Sequence, residues 1–362
     1  MTELTSPGED GGQLRLGLSL LLAVIIGGFF LALAARMVPL ESVEAYLREI
    51  DWRQMAPAIA AFVVVYSVCH AARVMRWWFL VRPLGDVDAP EVFRVGTVGF
   101  TAILLLPLRL GELVRPFLLA KRNDDVSGPA ALATIVVERV IDGLIITGLL
   151  FVGLVTYQGD ASTELVQTIG VVALAIFAPA LVLCVIAAYS GAVARRVVMA
   201  TVGRFSERVG QWAAGMLEQF AAGLGTLSRR RQVVPFLGVT AVYWGTNAVS
   251  MWLLLTFGFD LNLTLWEVYT VMAVLVVGIM VPAGPALVGN FEYFVVQGLG
   301  LFVVLDQAGV AGQVGAFAAV LHLLQIVVIV VPGVWVMIRH RALRLDRETV
   351  EASRAMEMDR PK

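Results

Sequence analysis

Six apolar stretches, near residues 16–35, 56–80, 129–156, 166–189, 233–257 and 312–338, decide what this chain can become. Crossing the hydrocarbon of a bilayer takes roughly 20 predominantly apolar residues in a helix. A soluble core has no room for six such runs in 362 residues. Only 15% of the residues are charged, against about 25% in ordinary soluble domains. In lipid every backbone polar group must be satisfied within the segment, so the runs are expected to be helices. The sequence therefore predicts an all-α polytopic membrane protein.

The first run could be mistaken for a signal peptide, because Ala32-Leu33-Ala34 mimics a cleavage site. Its leading segment is acidic (Glu3, Glu9, Asp10), with Arg15 as the single cation, and the run outlasts a normal signal core. A retained first helix is the expectation. Cys69 and Cys184 both fall inside apolar runs and read as small packing residues, while His70, His322 and His340 are too scattered for a metal site.

Two further apolar regions are interrupted. Residues 92–120 break at Pro107-Leu108-Arg109 and Gly111, and residues 266–304 break at Pro282-Ala283-Gly284-Pro285 and again at Gly289-Asn290. Proline removes a backbone donor and clashes with the preceding turn, so each region should form two half-helices. Irregular backbone survives at membrane depth only where protein or a hydrated cavity satisfies it.

Of the 27 cationic residues 25 are arginines, and their placement suggests an orientation. Loops 157–165, 258–265 and 304–312 contain no Lys or Arg. Arg195, Arg196, Arg204, Arg208 and Arg229 to Arg231 crowd one connection, and Arg339, Arg341, Arg344 and Arg347 follow the last run. The positive-inside rule puts both regions in the cytoplasm, together with both termini. The parity closes with about six full spans and two oppositely facing re-entrant hairpins, the pattern of an inverted repeat; two extra full spans in their place would need another parity. The expected organisation is a polar cytoplasmic tail (1–15), one transmembrane domain (16–338) and a charged cytoplasmic tail (339–362). Within the domain, 190–232 forms a cytoplasmic amphipathic connection. Val198, Val202, Phe205, Val209, Trp212, Met216, Phe220 and Leu224 make one helical stripe there. It reads as an interfacial helix or, alternatively, as a packed helical hairpin. Val43, Tyr46, Leu47, Ile50 and Trp52 suggest a shorter interfacial piece on the other side.

The chemistry should lie with the charges that fall where lipid is expected. These are Arg73 and Arg76; Arg109, Glu112 and Arg115; Glu138, Arg139 and Asp142; and Glu292 beside Asn290. One charge at the bilayer centre costs about 2.5–3.5 kcal/mol even on lenient scales, so these groups must pair or face a cavity. Arg109, Glu112 and Arg115 follow i,i+3 spacing and would align on a helix, while Glu138 and Asp142 share a face at i,i+4. Pairing the two sets would leave guanidinium capacity over. The planar arginine fork suits phosphate oxygens, and half-helix N-termini would add positive dipole ends. A phosphate-sized anion site near the membrane plane is one reading. The other is structural: Arg73, Arg76 and Arg82 as snorkelling anchors beside belt aromatics Trp77 and Trp78, with the remaining charges as packing pairs. His322, Gln325, Asn247, Tyr243 and Trp244 read as packing and interhelical hydrogen bonds.

Three stretches then carry a resemblance. Pro107-Leu108-Arg109-Leu110-Gly111-Glu112-Leu113-Val114-Arg115-Pro116, Val137-Glu138-Arg139-Val140-Ile141-Asp142 and the run from Pro282 to Glu292 are similar to motifs of the flippase-like family, also named for the lysylphosphatidylglycerol synthase transmembrane domain. The third departs from the family's proline–glycine–glycine pattern, reading Pro282-Ala283-Gly284-Pro285. The resemblance implies a lipid-translocating membrane domain and, for this chain, a stand-alone member without the aminoacyltransferase domain.

The leading expectation is thus translocation, by flipping or scrambling, of a phospholipid or polyprenyl-phosphate-linked lipid across the cytoplasmic membrane. Its substrate site would comprise Arg73, Arg76, Arg109, Glu112, Arg115, Glu138, Arg139, Asp142, Asn290 and Glu292. The backbone breaks would lie at Pro107, Gly111, Pro282, Gly284, Pro285 and Gly289. Expected partners are lipids with phosphate headgroups and membrane enzymes of lipid synthesis, with no nucleic acid. No cofactor, bound metal or enzymatic activity is expected, and no phosphate-cradling G-x-x-x-x-G-K-[ST] loop is present. Two alternatives stand beside it. One is a membrane-embedded transferase on lipid-linked substrates, with Glu138 and Asp142 able to hold Mg²⁺. The other is a non-catalytic partner of envelope-lipid enzymes.

Overall fold

The computed structural model describes residues 7–340 except 107–110, 158, 160, 161, 190, 205, 216–229, 282, 283 and 308, and only the backbone of 7–20, 184–189, 191, 194 and 230. Helices account for the regular structure: α1 (Pro7–Met37), α2 (Leu40–Glu49), α3 (Trp52–Val81), α4 (Ala89–Leu105), α5 (Val114–Arg122), α6 (Gly128–Thr156), α7 (Glu164–Tyr189), α8 (Gly191–Thr201), α9 (Arg230–Gly258), α10 (Leu265–Gly278), α11 (Asn290–Leu299) and α12 (Val310–Arg339). No strand occurs among the described residues. This is an all-α membrane fold.

Each of the six apolar runs is a helix, and the starts follow local chemistry. The Asp51 carboxylate accepts from Arg53 N at 2.9 Å to open α3. Ser127 caps α6, and Thr264 with Glu267 closes a reciprocal capping box at α10. Trp52–Leu84, Glu164–Leu183 and Val310–Arg339 are each long and apolar enough to cross a bilayer. Leu21–Met37 with Leu40–Glu49, bent by 74°, makes a fourth candidate. Leu21, Val24, Ile25 and Phe29 on α1, and Val171, Val172 and Ile176 on α7, face outward. Water would penalise such surface, and lipid does not.

α3 packs along α9 at the centre, where Phe62, Tyr66 and Cys69 meet Met251, Leu254 and Leu255 in one core. Around this pair the two interrupted regions fold as hairpins. Glu91, in the first turn of α4, pairs with Arg122 in the last turn of α5, so the first region begins and ends at one place. In the second, Trp266 Nε1 donates to Thr156 Oγ1 at 3.1 Å, and Tyr157 Oη donates to Leu301 O at 2.8 Å. Both ends of that region therefore meet the C-terminal end of α6. The first hairpin leads through residues 123–127 into the N-terminal end of the same helix. The hairpins enter from opposite ends of α6, as the parity of the arginine loops predicts.

Glycine sets the tightness of both folds. A Cβ on Gly111 would run into the backbone of Ala102 and Ile103, so the returning arm can press on α4 only without one. Gly289 sits at φ +85°, with a Cβ position blocked by Gly27 O of α1. Gly284 lies against the Ala23 carbonyl, so α1 clasps the second break.

Two expectations change here. The stripe from Val198 to Leu224 is not one helix: α8 ends in a turn at 202–204, and residues 207–215 form a separate helical stretch whose Gly210 lies against Gly203. The glycine allows the chain to double back, in keeping with the hairpin alternative. Phe205, Met216, Phe220 and Leu224 lie outside the described residues. The 40–49 segment is helical, but its Ser42 and Val43 pack against Gly312 and Gly315 of α12. These glycines let one face of α2 rest on α12, while no residue of α2 is fully buried.

Candidate functional site

Near the midpoint of α6, Glu138 and Asp142 point inward together, as their i,i+4 spacing requires. Their principal cation comes from α3. Arg76 donates to both Asp142 oxygens, Nη1 to Oδ1 at 2.5 Å and Nη2 to Oδ2 at 2.6 Å, and from Nη2 to Glu138 Oε1 at 3.2 Å. Arg115 of α5 adds two longer bonds to Glu138, both at 3.4 Å. Arg139 pairs with its neighbour Glu138 and reaches Asp142 Oδ2 at 3.2 Å. Glu112, in the 3₁₀ turn before α5, lies within electrostatic reach of Arg115 and Arg139. Three guanidiniums thus face three carboxylates.

The sequence pairing of Glu138 and Asp142 with an Arg109–Glu112–Arg115 stripe is corrected in part. Arg76 takes the largest share, because α3 lies directly against α6 at this depth, which no spacing within one segment reveals. Pro107 and Arg109 fall outside the described residues. Arg76 is not a snorkelling anchor, being fully buried, nor is Trp77 a belt aromatic. Trp77 is sealed beneath the network, its Nε1 donating to Thr134 Oγ1 at 2.9 Å. Arg82 and Trp78 do fit the anchor reading, with the guanidinium carbon 4.9 Å from the exposed-side ring.

Arg73 stands apart from this network. One helical turn before Arg76, its guanidinium carbon lies 4.1 Å from the Phe100 ring centroid and 5.8 Å from that of Tyr243. Among the described residues no carboxylate pairs with it. Aromatic faces support a cation without cancelling its charge. Arg73 lines a small, partly open cleft of about 70 Å³. Tyr66 shares its α3 wall; Phe100, Ile103 and Leu104 of the first hairpin face Ile279, Leu287 and Phe291 of the second. His322, Gln325, Ile326 and Ile329 of α12 close it. Described residues on either side of the two breaks thus meet here.

The second hairpin is held by its own hydrogen bonds. Glu292 accepts from Gly289 N at 2.7 Å and faces His322 Nδ1 at 2.6 Å, while His322 Nε2 faces the Ala286 carbonyl at 2.7 Å. Asn290, fully buried, donates to the Gly278 and Val281 carbonyls at 3.4 and 3.2 Å, capping the C-terminus of α10. At the N-terminus of α11, with its half-helix dipole expected to bind phosphate, the Glu292 carboxylate already accepts from the Gly289 N–H. Gly284, Pro285 and Gly289 lie at the break as expected, and Pro282 lies outside the described residues.

Sequence reasoning missed Phe100, Tyr66 and Gly99, and took Tyr243 for packing and interhelical hydrogen bonding. Tyr243 lies 4.5 Å from the Arg76 guanidinium carbon as well. A Cβ on Gly99 would collide with the Arg115 side chain, so this glycine makes the room in which Arg115 reaches Glu138. Only the Gly96/Gly99 spacing within an apolar run hinted at a close approach.

Comparison with known sequences bears on these residues. The family described as "Lysylphosphatidylglycerol synthase TM region" matches residues 20–333. The protein named Glycosyltransferase AglD, of Haloferax volcanii, is 30% identical over 261 residues, 65% of this chain and 42% of that protein. The chain thus spans less than half of that relative's length. No solved structure matches. The expectation of a chain without enzymatic activity is corrected by this finding, since a relative at that identity bears the name of a glycosyltransferase.

Proposed function

The chain belongs to the lysylphosphatidylglycerol synthase TM region family, and from that premise we propose that it passes the phosphate-bearing headgroup of a lipid across the cytoplasmic membrane. One observation carries the reading: Arg73 is a cation in a cleft between two opposed hairpins, supported by aromatic rings and left without a carboxylate among the described residues. A lipid phosphate, from a phospholipid or a polyprenyl phosphate, would supply the missing anion, with the tails remaining in the bilayer. Arg76, Arg115, Arg139, Glu112, Glu138 and Asp142 then form a neutral frame that fixes the cleft wall. In this reading both termini lie in the cytoplasm.

The experiment is transbilayer movement of headgroup-labelled phospholipid in liposomes carrying the purified protein or its Arg73→Ala variant. Movement by the parent and its loss in the variant are expected. Equal movement in both would remove Arg73 from the site.

A transferase acting on a lipid-linked substrate is the second reading, favoured by the name of the glycosyltransferase relative. The same cleft would hold the lipid phosphate while a group is transferred to or from it. Glu138 and Asp142 are bound up with guanidiniums, so they would not carry Mg²⁺ without dismantling the network. Incubation with a labelled sugar lipid, followed by product analysis, separates this reading from movement of the intact lipid.

A further inference from the structure

The geometry points to a second binding site, where the two ends of the second hairpin meet the C-terminal end of α6, that takes an uncharged hexose ring. The inference goes beyond the phosphate reading of Arg73 and uses none of the residues of that cleft.

The site is a partly open cavity of about 400 Å³, within the range of small-ligand sites. Thr156 ends α6 and Tyr157 follows it; Thr264, Trp266 and Glu267 come from the start of α10, and Phe302 follows α11. The hydrogen-bond inventory of this lining is one-sided. Trp266 Nε1 donates to Thr156 Oγ1 at 3.1 Å, and Thr156 Oγ1 donates to Val152 O at 2.9 Å. Tyr157 Oη donates to Leu301 O at 2.8 Å. Thr264 Oγ1 donates to Glu267 Oε2 at 2.8 Å, and Thr270 Oγ1 to Trp266 O at 3.3 Å. Each side-chain donor of the described lining is thus spent within the protein. What the lining has left to offer is acceptors. Threonine oxygens keep lone pairs, and the bonds from Thr264 N and Oγ1 both fall on Glu267 Oε2, leaving Oε1 to accept.

Charge narrows the ligand further. No Lys or Arg lines the cavity among the described residues. The loops 157–165, 258–265 and 304–312 carry Asp160, Glu164, Asp260 and Asp306 and no cation. A phosphate or carboxylate would meet acceptors and negative charge, with no side-chain donor left to bind it. The ligand must therefore bring donors and no negative charge.

Sugars and organic ammonium ions both do so, and size separates them. A space of this volume takes a hexose ring with its hydroxyls, whereas an ammonium group would touch one wall at a time. The aromatic walls agree. Tyr157 and Phe302 meet edge to face with centroids 5.7 Å apart, and Trp266 is 41% exposed. A flat aromatic face suits the C–H face of a pyranose, whose rim of hydroxyls can then donate to Glu267 and the threonine oxygens. Trp266 is not placed as a belt aromatic, whose polar edge belongs at the headgroup level. Its N–H turns inward onto Thr156.

The test is saturation-transfer NMR on the purified full chain in nanodiscs prepared without sugar-headed detergent. The probes are methyl β-D-glucoside, methyl β-D-galactoside and methyl α-D-mannoside. Transfer to the ring protons of at least one is expected, with a dissociation constant on the order of 1 mM, as about a dozen non-hydrogen atoms support. Trp266→Ala should weaken binding about tenfold, and Trp266→Phe, which keeps a ring face, by less. Glu267→Gln, which keeps an acceptor for the helix cap, should also weaken it about tenfold. Arg73→Ala should bind as the parent does. A monohexosyl diacylglycerol of the same sugar, added to the nanodisc, decides the source: competition with the probe supports a glycolipid headgroup, and its absence a soluble sugar. No transfer to any probe, transfer unchanged in both Trp266→Ala and Glu267→Gln, or transfer to choline in place of the hexosides would overturn the site. Loss of binding in Arg73→Ala, with Trp266→Ala unaffected, would move the sugar to the other cleft and overturn this assignment.

Discussion

Arg76 grips Asp142 with both prongs of its guanidinium, at 2.5 and 2.6 Å, and solvent reaches 0% and 3% of the two side chains. One turn earlier on the same helix, Arg73 meets rings instead. Two arginines that look alike in sequence therefore carry different work, one in the frame and one in the cleft.

Stability should follow that division. Removing one partner of a buried pair leaves an uncompensated charge, so Arg76→Ala is expected to lose about 3–5 kcal/mol. Arg73→Ala, which strands no carboxylate among the described residues, should lose about 1 kcal/mol, the scale of a cation–π contact. Thermal unfolding in detergent would show a large drop for the first variant and a small one for the second. The reverse order would refute the assignment.

Function should divide the other way, between charge and shape at position 73. Arg73→Lys keeps the charge but loses the planar fork and its fit to a ring face. Lipid movement by Arg73→Lys should lie between that of the parent and that of Arg73→Ala. Full activity with lysine would mean that charge alone suffices.

Gly99 offers a test that touches no charge directly. Gly99→Ala places a methyl group where the Arg115 side chain runs. Overpacking of this kind costs about 1–3 kcal/mol, and Arg115 should move off Glu138. The combined Gly99→Ala/Arg115→Ala variant should be less than additive in thermal unfolding. Full additivity would show that the two residues do not share the space.

The hairpins' opposed entry can be read by one-sided labelling. Asp88→Cys and Arg122→Cys, both exposed at the ends of the first region, should react with an impermeant maleimide from one side of sealed, oriented vesicles. Leu265→Cys and Val304→Cys, at the ends of the second region and both solvent- or lipid-exposed, should react from the other. Reaction of 88 and 122 from opposite sides would turn the first hairpin into a full crossing.

The sequence by itself determined the membrane class, the helices and the places where they break. Those features follow from local physics: apolar length, proline's missing donor, and the cost of bare backbone in lipid. It also pointed to most of the charged residues around the site, because a charge in an apolar run is conspicuous wherever it pairs. Only the tertiary structure decided who pairs with whom. Arg76 meets Asp142 across 66 positions of sequence, and His322 meets Glu292 across 30. Such contacts depend on which helices lie adjacent, which one amphipathic period cannot encode. The cleft is likewise a property of packing: Phe100 and Tyr243 look like ordinary core residues until the fold brings their rings to Arg73, which no described carboxylate neutralises.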